Sequence, residues 1–341
     1  MSEEQGRMYE LEYPAPVVKD DSTEGGGPTM IVAMHGYADA GQAVESTADY
    51  LKAALENRQL ASFNNDELID YRSRRPAVTI DHDRTVDIEN TELGIKVLRD
   101  NSGKPFLLLS GPEPDLRWEA FTEAVVNLVE KYDVTNTIML YSAPMPVPHT
   151  RPTVVTAHGN STDLVGRMVR LDSKMMVPGS AALFIEKALD KKGRNVVGYT
   201  AHVPHYLAAS SYPSATLRLL DSVASAARLN IPLGGVEADV ARVGQQLQEQ
   251  VDSSEEIAGV VHQLEEQFDA YMERYRTEHP QAIMPGEEHV PTGEEIGADF
   301  EAFLAQLGDD PSILNEEIDD REDNFGEDNE DNPDHGDGDD V

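Results

Sequence analysis

The chain has 341 residues, 39% of them apolar, with 64 Asp or Glu against 27 Lys or Arg, a formal charge of −37. That length buries a core of ordinary depth, as one large domain or a main domain with an annex. The acidic balance argues against a nucleic-acid partner, since phosphate binding rests on clustered Lys and Arg, and the absence of cysteine excludes disulfides, thiolate zinc sites and cysteine nucleophiles.

The charge is concentrated at one end. Residues 309–341 hold sixteen Asp or Glu against one Lys or Arg, Arg321, with Phe325 as their one Phe, Trp or Tyr. Ordering costs roughly 1–2 kcal/mol per residue, more than such a segment can offset by burial, so a disordered acidic tail is expected. It serves either as a solubilising extension or as a dock for a basic partner. At the other end, residues 1–27 are acidic at the start and close on Gly25-Gly26-Gly27, which reads as a flexible entry without the apolar centre of a signal peptide. No run approaches the roughly 18 apolar residues of a membrane span, so a cytoplasmic protein without membrane contact is expected.

Residues 29–34 are continuously apolar and read as a buried parallel strand that stops at His35-Gly36. Helical spacing follows over residues 42–60 (Val44, Leu51, Leu55), then short β-like stretches at 67–72, 78–80 and 93–99. Residues 105–110 form a second buried strand ending in Gly-Pro, and the stripe Phe121, Val125, Leu128, Val129 marks the helix after it. Strands are expected at 137–142, 153–157 and 195–203, with helices at 181–189 and 216–229. This alternation predicts an α/β core over residues 28–232, a mainly parallel sheet covered by helices on both faces in three α/β/α layers. Beyond Pro232 the β signal ends. Val236, Val240, Val243, Leu247 and Val251 lie on one helical face, and a second stripe runs from Ile257 through Leu264 and Phe268 to Tyr275. Thr292-Gly293-Glu294-Glu295 is a capping box opening a third helix with Ile296, Phe300, Phe303 and Leu307. These three make a helical annex over residues 233–308.

Ligands of open α/β sheets sit beyond the carboxyl ends of the strands, and five polar segments fall there. In His35-Gly36-Tyr37-Ala38-Asp39-Ala40-Gly41, Asp39 either faces a ligand with the backbone N–H groups around it or caps the following helix. Asp70-Tyr71-Arg72-Ser73-Arg74-Arg75-Pro76 sets Arg72, Arg74 and Arg75 close together in an acidic chain, for a bound anion or for the acidic surface of a neighbouring subunit. Gly111-Pro112-Glu113-Pro114-Asp115-Leu116-Arg117-Trp118 holds Glu113 and Asp115 between prolines. They form either an acid/base pair or a structural set, with Asp115 capping the next helix and Glu113 pairing with an arginine. Pro148-His149-Thr150-Arg151-Pro152 clamps His149 and Arg151, and His202-Val203-Pro204-His205-Tyr206 ends the last strand. The spacing of His202 and His205 does not force convergence, so no metal or cofactor is expected. No phosphate-binding loop, G-x-G-x-x-G, G-x-S-x-G elbow, H-E-x-x-H or kinase signature occurs.

Taken in order, Gly-Tyr-Ala-Asp-Ala-Gly (36–41), Asp-Tyr-Arg-Ser-Arg-Arg-Pro (70–76), Gly-Pro-Glu-Pro-Asp-Leu-Arg-Trp (111–118), Pro-His-Thr-Arg-Pro (148–152) and His-Val-Pro-His-Tyr (202–206) resemble actinobacterial members of the proteasome assembly chaperone family. The resemblance spans roughly residues 28–308. It implies an α/β/α sandwich similar in layout to purine nucleoside phosphorylases, often as a homo-oligomer, a trimer being one form. Family chaperones that dock on the proteasome ring can end in a hydrophobic–tyrosine–any motif, and Asp339-Asp340-Val341 does not match it. The expected function is therefore a non-catalytic protein-binding or assembly role with a protein partner. The alternative is a small-molecule-binding protein or hydrolase for nucleoside-like or anionic ligands, its pocket lined by Asp39, Glu113, Arg117, His149, Arg151, His205 and Tyr206.

Overall fold

The uninterrupted apolar runs become the middle of a large sheet. The computed structural model describes residues 8–18, 26–89, 91–166, 168–170, 174–280, 282 and 284–287. In chain order these form β1 (Tyr9–Leu11), β2 (Thr29–His35), α1 (Ala43–Ala54), β3 (Glu56–Phe63), α2 (Asn65–Leu68), β4 (Val78–Asp81), β5 (Arg84–Ile88), β6 (Gly94–Arg99), β7 (Pro105–Pro112), α3 (Trp118–Lys131), β8 (Asn136–Met145), β9 (Val155–Gly159), α4 (Thr162–Val165), β10 (Val169–Arg170), α5 (Ala181–Lys191), β11 (Asn195–Pro204), α6 (Pro213–Ala227), α7 (Gly234–Asp252) and α8 (Glu255–Glu278).

Among the described residues the main sheet has nine strands in the order β1-β3-β6-β7-β2-β8-β11-β9-β10. Its centre, β7-β2-β8-β11, is parallel throughout. Both flanks bring in antiparallel pairs: β1–β3, β3–β6 and β6–β7 on one side, β9–β11 on the other. The central strands are buried on both faces, which is why they read as apolar runs rather than alternations. On one face Met30, Val32, Leu107 and Met139 pack under α3 and α5; on the other Ile31, Ala33, Ile138 and Tyr199 pack under α1 and α6.

Three local expectations are corrected. The helix expected over 42–60 stops at Ala54, and residues from Glu56 on form β3, where exposed Glu56 and buried Leu60 fit a flank strand rather than a helical stripe. The stretch at 67–72 is not a strand. Asn64 accepts from the Asp66 N–H and starts the short α2, and the Asp70 carbonyl then closes a turn onto Ser73 and Arg74. The amino-terminal segment is not wholly a flexible entry, for Tyr9–Leu11 adds an edge strand on which Tyr9 meets Phe63 edge to face at 5.9 Å.

α7 packs its stripe on the main core, whereas α8 buries only the middle and end of its expected stripe, on a separate small core, and leaves Ile257 exposed. Val236, Val240 and Leu247 lie against the α1/α6 side, and the Tyr50 hydroxyl donates to the Pro232 carbonyl at the entry to α7. Phe268 and Tyr275 of α8 join Met284, Val154 and Val169 in a separate small core. Ser254 caps α8 by accepting from the Ile257 N–H. The third annex helix and the acidic tail lie outside the described residues. No helix among the described residues is long and apolar enough to cross a membrane.

β4 and β5 form a ribbon of their own, β-bulged near Ile80. Every residue of it is exposed, including Val78 at 49%, Ile80 at 67%, Val86 at 56% and Ile88 at 58%. Since Val78 faces Ile88 across the ribbon and side chains alternate, these four share one apolar side.

Candidate functional site

Strand direction gathers all five polar segments on one rim. His35 pairs with Pro112 and Met145 with Pro204, so the four central strands end together. Ser62 faces Gly94, which faces Ser110, so β3 also ends there. β9 begins at that rim, with Val155 opposite Ala201, and residues 146–154 stay on it.

What the rim does with its polar side chains differs from an open reaction centre. Asp39 accepts from the N–H groups of Val44 and Glu45 at 2.7 and 3.1 Å, and from the Ser142 hydroxyl at 3.2 Å. It therefore secures the start of α1 and ties it to β8, the capping alternative for this residue. Burial pushes its carboxyl above the ordinary range, against those three hydrogen bonds. Gly41 sits at φ 68° with Tyr212 and Val203 against it, where a Cβ would meet both conformational strain and their side chains.

Glu113 and Asp115 have exchanged the expected structural roles. Glu113, buried, accepts from the Ala181 N–H at 2.7 Å and so holds the first turn of α5, while its own N–H donates to His35. Gly36 permits this contact, since a Cβ there would lie 2.9 Å from the Glu113 Cβ. Asp115 instead pairs with Arg74 at 3.2 Å and accepts from the Asp70 N–H at 2.9 Å. Arg117 pairs with Glu67. Arg72 reaches Asp70 at 3.4 Å, and Arg75 is exposed. The Arg72 backbone N–H, followed by its side chain, lowers the Asp70 carboxyl.

The remaining cluster joins the rim to α8. Arg151 forms a two-pronged pair with Asp269, Nε to Oδ1 and one terminal nitrogen to Oδ2, both 2.8 Å, and its other nitrogen reaches Glu265 at 3.0 Å. Thr150 donates to the same Glu265. The Tyr206 hydroxyl accepts from the His149 N–H at 3.0 Å and lies 2.7 Å from Nδ1, so it donates to that nitrogen and leaves the proton of a neutral ring on Nε2. Burial lowers the His149 pKa and raises Tyr206 to about 12. His205 is exposed and meets the Tyr206 ring edge to face at 5.4 Å.

The ten candidate residues thus fall into separate partnerships. His149, His205 and Tyr206 come together, and Asp115 meets the arginine segment through Arg74. No hydrogen bond or ion pair among the described residues joins Asp39, Glu113 and His149 to one another. Four surface cavities, of about 390, 120, 660 and 350 Å³, are lined by none of the ten.

Sequence reasoning missed several side chains. Glu265 and Asp269, four apart on α8 and so on one face, carried the signal of a cation partner. The cluster on β8, β9 and α5, where Glu186 accepts from Tyr141 at 3.4 Å and faces His158 Nε2 at 3.1 Å, carried no local pattern, because its members come from three distant segments. His202, close to the Thr156 hydroxyl at 3.3 Å, is driven by burial to a pKa of about 4.

The PAC2 family model matches residues 33–251. A protein of unknown function from Corynebacterium glutamicum is 59% identical, superposes with a TM-score of 0.76, and is matched over 79% of this chain and 100% of its own. A protein of unknown function from Mycobacterium tuberculosis is 45% identical, with a TM-score of 0.75 over 79% of this chain and 93% of its own. A proteasome-assembly chaperone homologue from the same organism shares the fold, with a TM-score of 0.63 at 24% identity, over 68% of this chain and 99% of its own. No curated protein matches. The strand-end motifs, the α/β architecture and a family match running from β2 into α7 agree, and the chain belongs to the PAC2 family.

Proposed function

We propose that this chain is a non-catalytic, assembly-chaperone-like protein that acts through protein–protein contacts and works as a homo-oligomer. The observation that carries this reading is the fate of the rim: its charged side chains hold α1, α5, α8 and one another in place. Held in this way they stiffen a surface, and a stiff polar surface suits docking. The name of the 24%-identical M. tuberculosis structure, a proteasome-assembly chaperone homologue, is consistent with such a role. Self-association draws support from the β4–β5 ribbon, since an isolated two-stranded hairpin is marginal in water and this one leaves its apolar side uncovered. The exposed Arg75 beside it suits the acidic surface of another copy.

The test is in-cell cross-linking of the full chain followed by purification. A recurrent protein partner, lost when the rim is altered at Tyr37 and Leu116, is expected; recovery of self-linked copies alone would sink the assembly reading. One observation favours the small-molecule alternative: the buried His149 Nε2 has no hydrogen-bond partner among the described residues. A thermal-shift panel of nucleosides, sugars and carboxylates tests it, since a ligand at 100 times its Kd stabilises by roughly 2.7 kcal/mol.

A further inference from the structure

Away from the rim motifs, α3 and α5 lie side by side on one face of the sheet and leave between them an elongated groove of about 660 Å³. Its floor is apolar, built by Val126, Leu183 and Ala188. At the rim end Phe184 is 42% exposed and stands edge to face on Trp118 at 5.4 Å. Gly179 approaches both rings, and Met176 and Val177 just before it are exposed, which extends the apolar strip beyond the groove. Opposite charges line the two walls: Glu119 and Glu123 on α3, Lys187 and Lys191 on α5. Lys192 pairs with Glu130 at 3.1 Å and ties the two walls together. Lys187 is engaged only by Asp190 on its own helix, and Lys191 has no ion pair among the described residues. Two of the chain's nine lysines thus stand on α5 and a third at its C-cap, in a molecule carrying −37.

We infer that this groove is the docking site for an amphipathic helix of a protein partner, seated with its apolar stripe on Val126, Leu183 and Phe184 and its acidic edge along the α5 lysines. The inference rests on the protein-binding reading above and deepens it by naming a surface and a partner chemistry. A helix fits because the channel between two packed helices is itself helix-shaped, and the α3 residues that line it, Glu119 to Asn127, offer about 12 Å of wall. The wall charges fix which edge faces which way. An acidic edge is attracted only to the α5 side and is repelled by Glu119, Glu123 and the acidic surface at large.

Trp118 is the single tryptophan of the chain and borders the groove through Phe184, so its fluorescence reads occupancy directly. Two synthetic tryptophan-free helical peptides of about five turns, sharing one leucine stripe and flanked on one edge by Glu or by Lys, are titrated into the full-length protein. The Glu-flanked peptide is expected to bind about tenfold tighter or better, and the Lys187→Glu/Lys191→Glu double variant to reverse that order. Phe184→Ser is expected to weaken both peptides while the melting temperature shifts little. Equal affinity of the two peptides, or a preference that survives the double variant, overturns the inference. So does sedimentation showing that the double variant breaks a self-assembly, for then a second copy is the occupant. Failure of this groove is distinguishable from failure of the assembly reading. A cross-linked partner retained by the double variant sinks the groove alone, whereas peptides that discriminate without any cellular partner sink the assembly role alone.

Discussion

Arg151 is where the rim holds the annex, and Arg151→Ala measures how firmly. The substitution removes the two-pronged bond to Asp269 and the bond to Glu265, leaving two carboxylates on α8 without their cation. Bonds to charged groups contribute about 1.5–3 kcal/mol when shielded from water, and exposed ion pairs about 0.2–1 kcal/mol. With the Arg151 side chain a third exposed and Asp269 half exposed, the clamp falls between these limits, at about 1–2 kcal/mol. At about 1.4 kcal/mol per factor of ten, α8 then opens roughly 5–30 times more often. Amide hydrogen exchange resolved by segment checks this: α8 loses protection by that factor while β2 and β8 keep theirs. Arg151→Lys, which keeps the charge without the fork, falls in between. The Thr150 hydroxyl and then Arg151 hold the Glu265 carboxyl below its ordinary range, and Arg151 does the same for Asp269. A depressed carboxylate stabilises above its unfolded pKa and loses that stabilisation as the pH falls through its folded one. In the unaltered protein α8 protection therefore drops selectively below about pH 4, and in Arg151→Ala that drop is much reduced. Unchanged α8 exchange in the variant, or loss spread evenly over the core, refutes the clamp.

Other expectations follow from the same geometry. Gly36→Ala drives a methyl into the Glu113 side chain and destabilises by about 1–3 kcal/mol, read as a lower urea midpoint with an unchanged slope. Asp39→Ala removes the acceptor for two α1 N–H groups and costs about 1–2 kcal/mol, with Asp39→Asn recovering part of it. His202 has a folded pKa of about 4, below its unfolded value near 6.5, so the unfolded chain takes up a proton that the native one refuses as the pH falls. That penalty is absent at pH 7.5 and reaches about 2 kcal/mol at pH 5. Denaturation of His202→Leu at both pH values should lack that increment. On the self-association proposed above, replacing Val78, Ile80, Val86 and Ile88 together by Thr is expected to leave melting of the core nearly unchanged while sedimentation shows dissociation to monomers; an oligomer that stays intact removes the ribbon from the contact, and a parent chain that is already monomeric removes the self-association.

Legibility followed burial. β2, β7, β8 and β11 are enclosed on both faces, so apolar runs alone marked them, and their common direction followed from the helices between them. β3 escaped because its first four residues, Glu56 to Gln59, carry the polar composition of a flank strand that also suits a helix end, and the stripe of α1 runs into it without a break. β1 and β10 are only three and two residues long, too short to show a period. The direction of β9 was not legible either, since an antiparallel partner for β11 arises from the long excursion over residues 146–154, and nothing in the composition of residues 155–159 distinguishes up from down.

For the site, position was legible and role was not. Strand ends could be read from sequence, and all five polar segments reach one rim. Which partner each side chain finds depends on helices that arrive from elsewhere: α5 brings the Ala181 N–H to Glu113, and α8 brings Glu265 and Asp269 to Arg151. A carboxylate beside prolines looks the same in sequence whether it faces a substrate or a helix end. The outcome has a physical logic. Each of these charges lies where two layers meet, and a charge at a junction costs less when the structure itself supplies the counter-group than when it is left facing a solvent cleft. A catalytic rim leaves at least one such group unpaid, ready to act on a ligand. On this rim Asp39, Glu113, Asp115, Arg117 and Arg151 are all engaged by the chain itself, which suits the docking role proposed above, while the buried His149 Nε2, without a hydrogen-bond partner among the described residues, is where a small ligand would bind if that role failed.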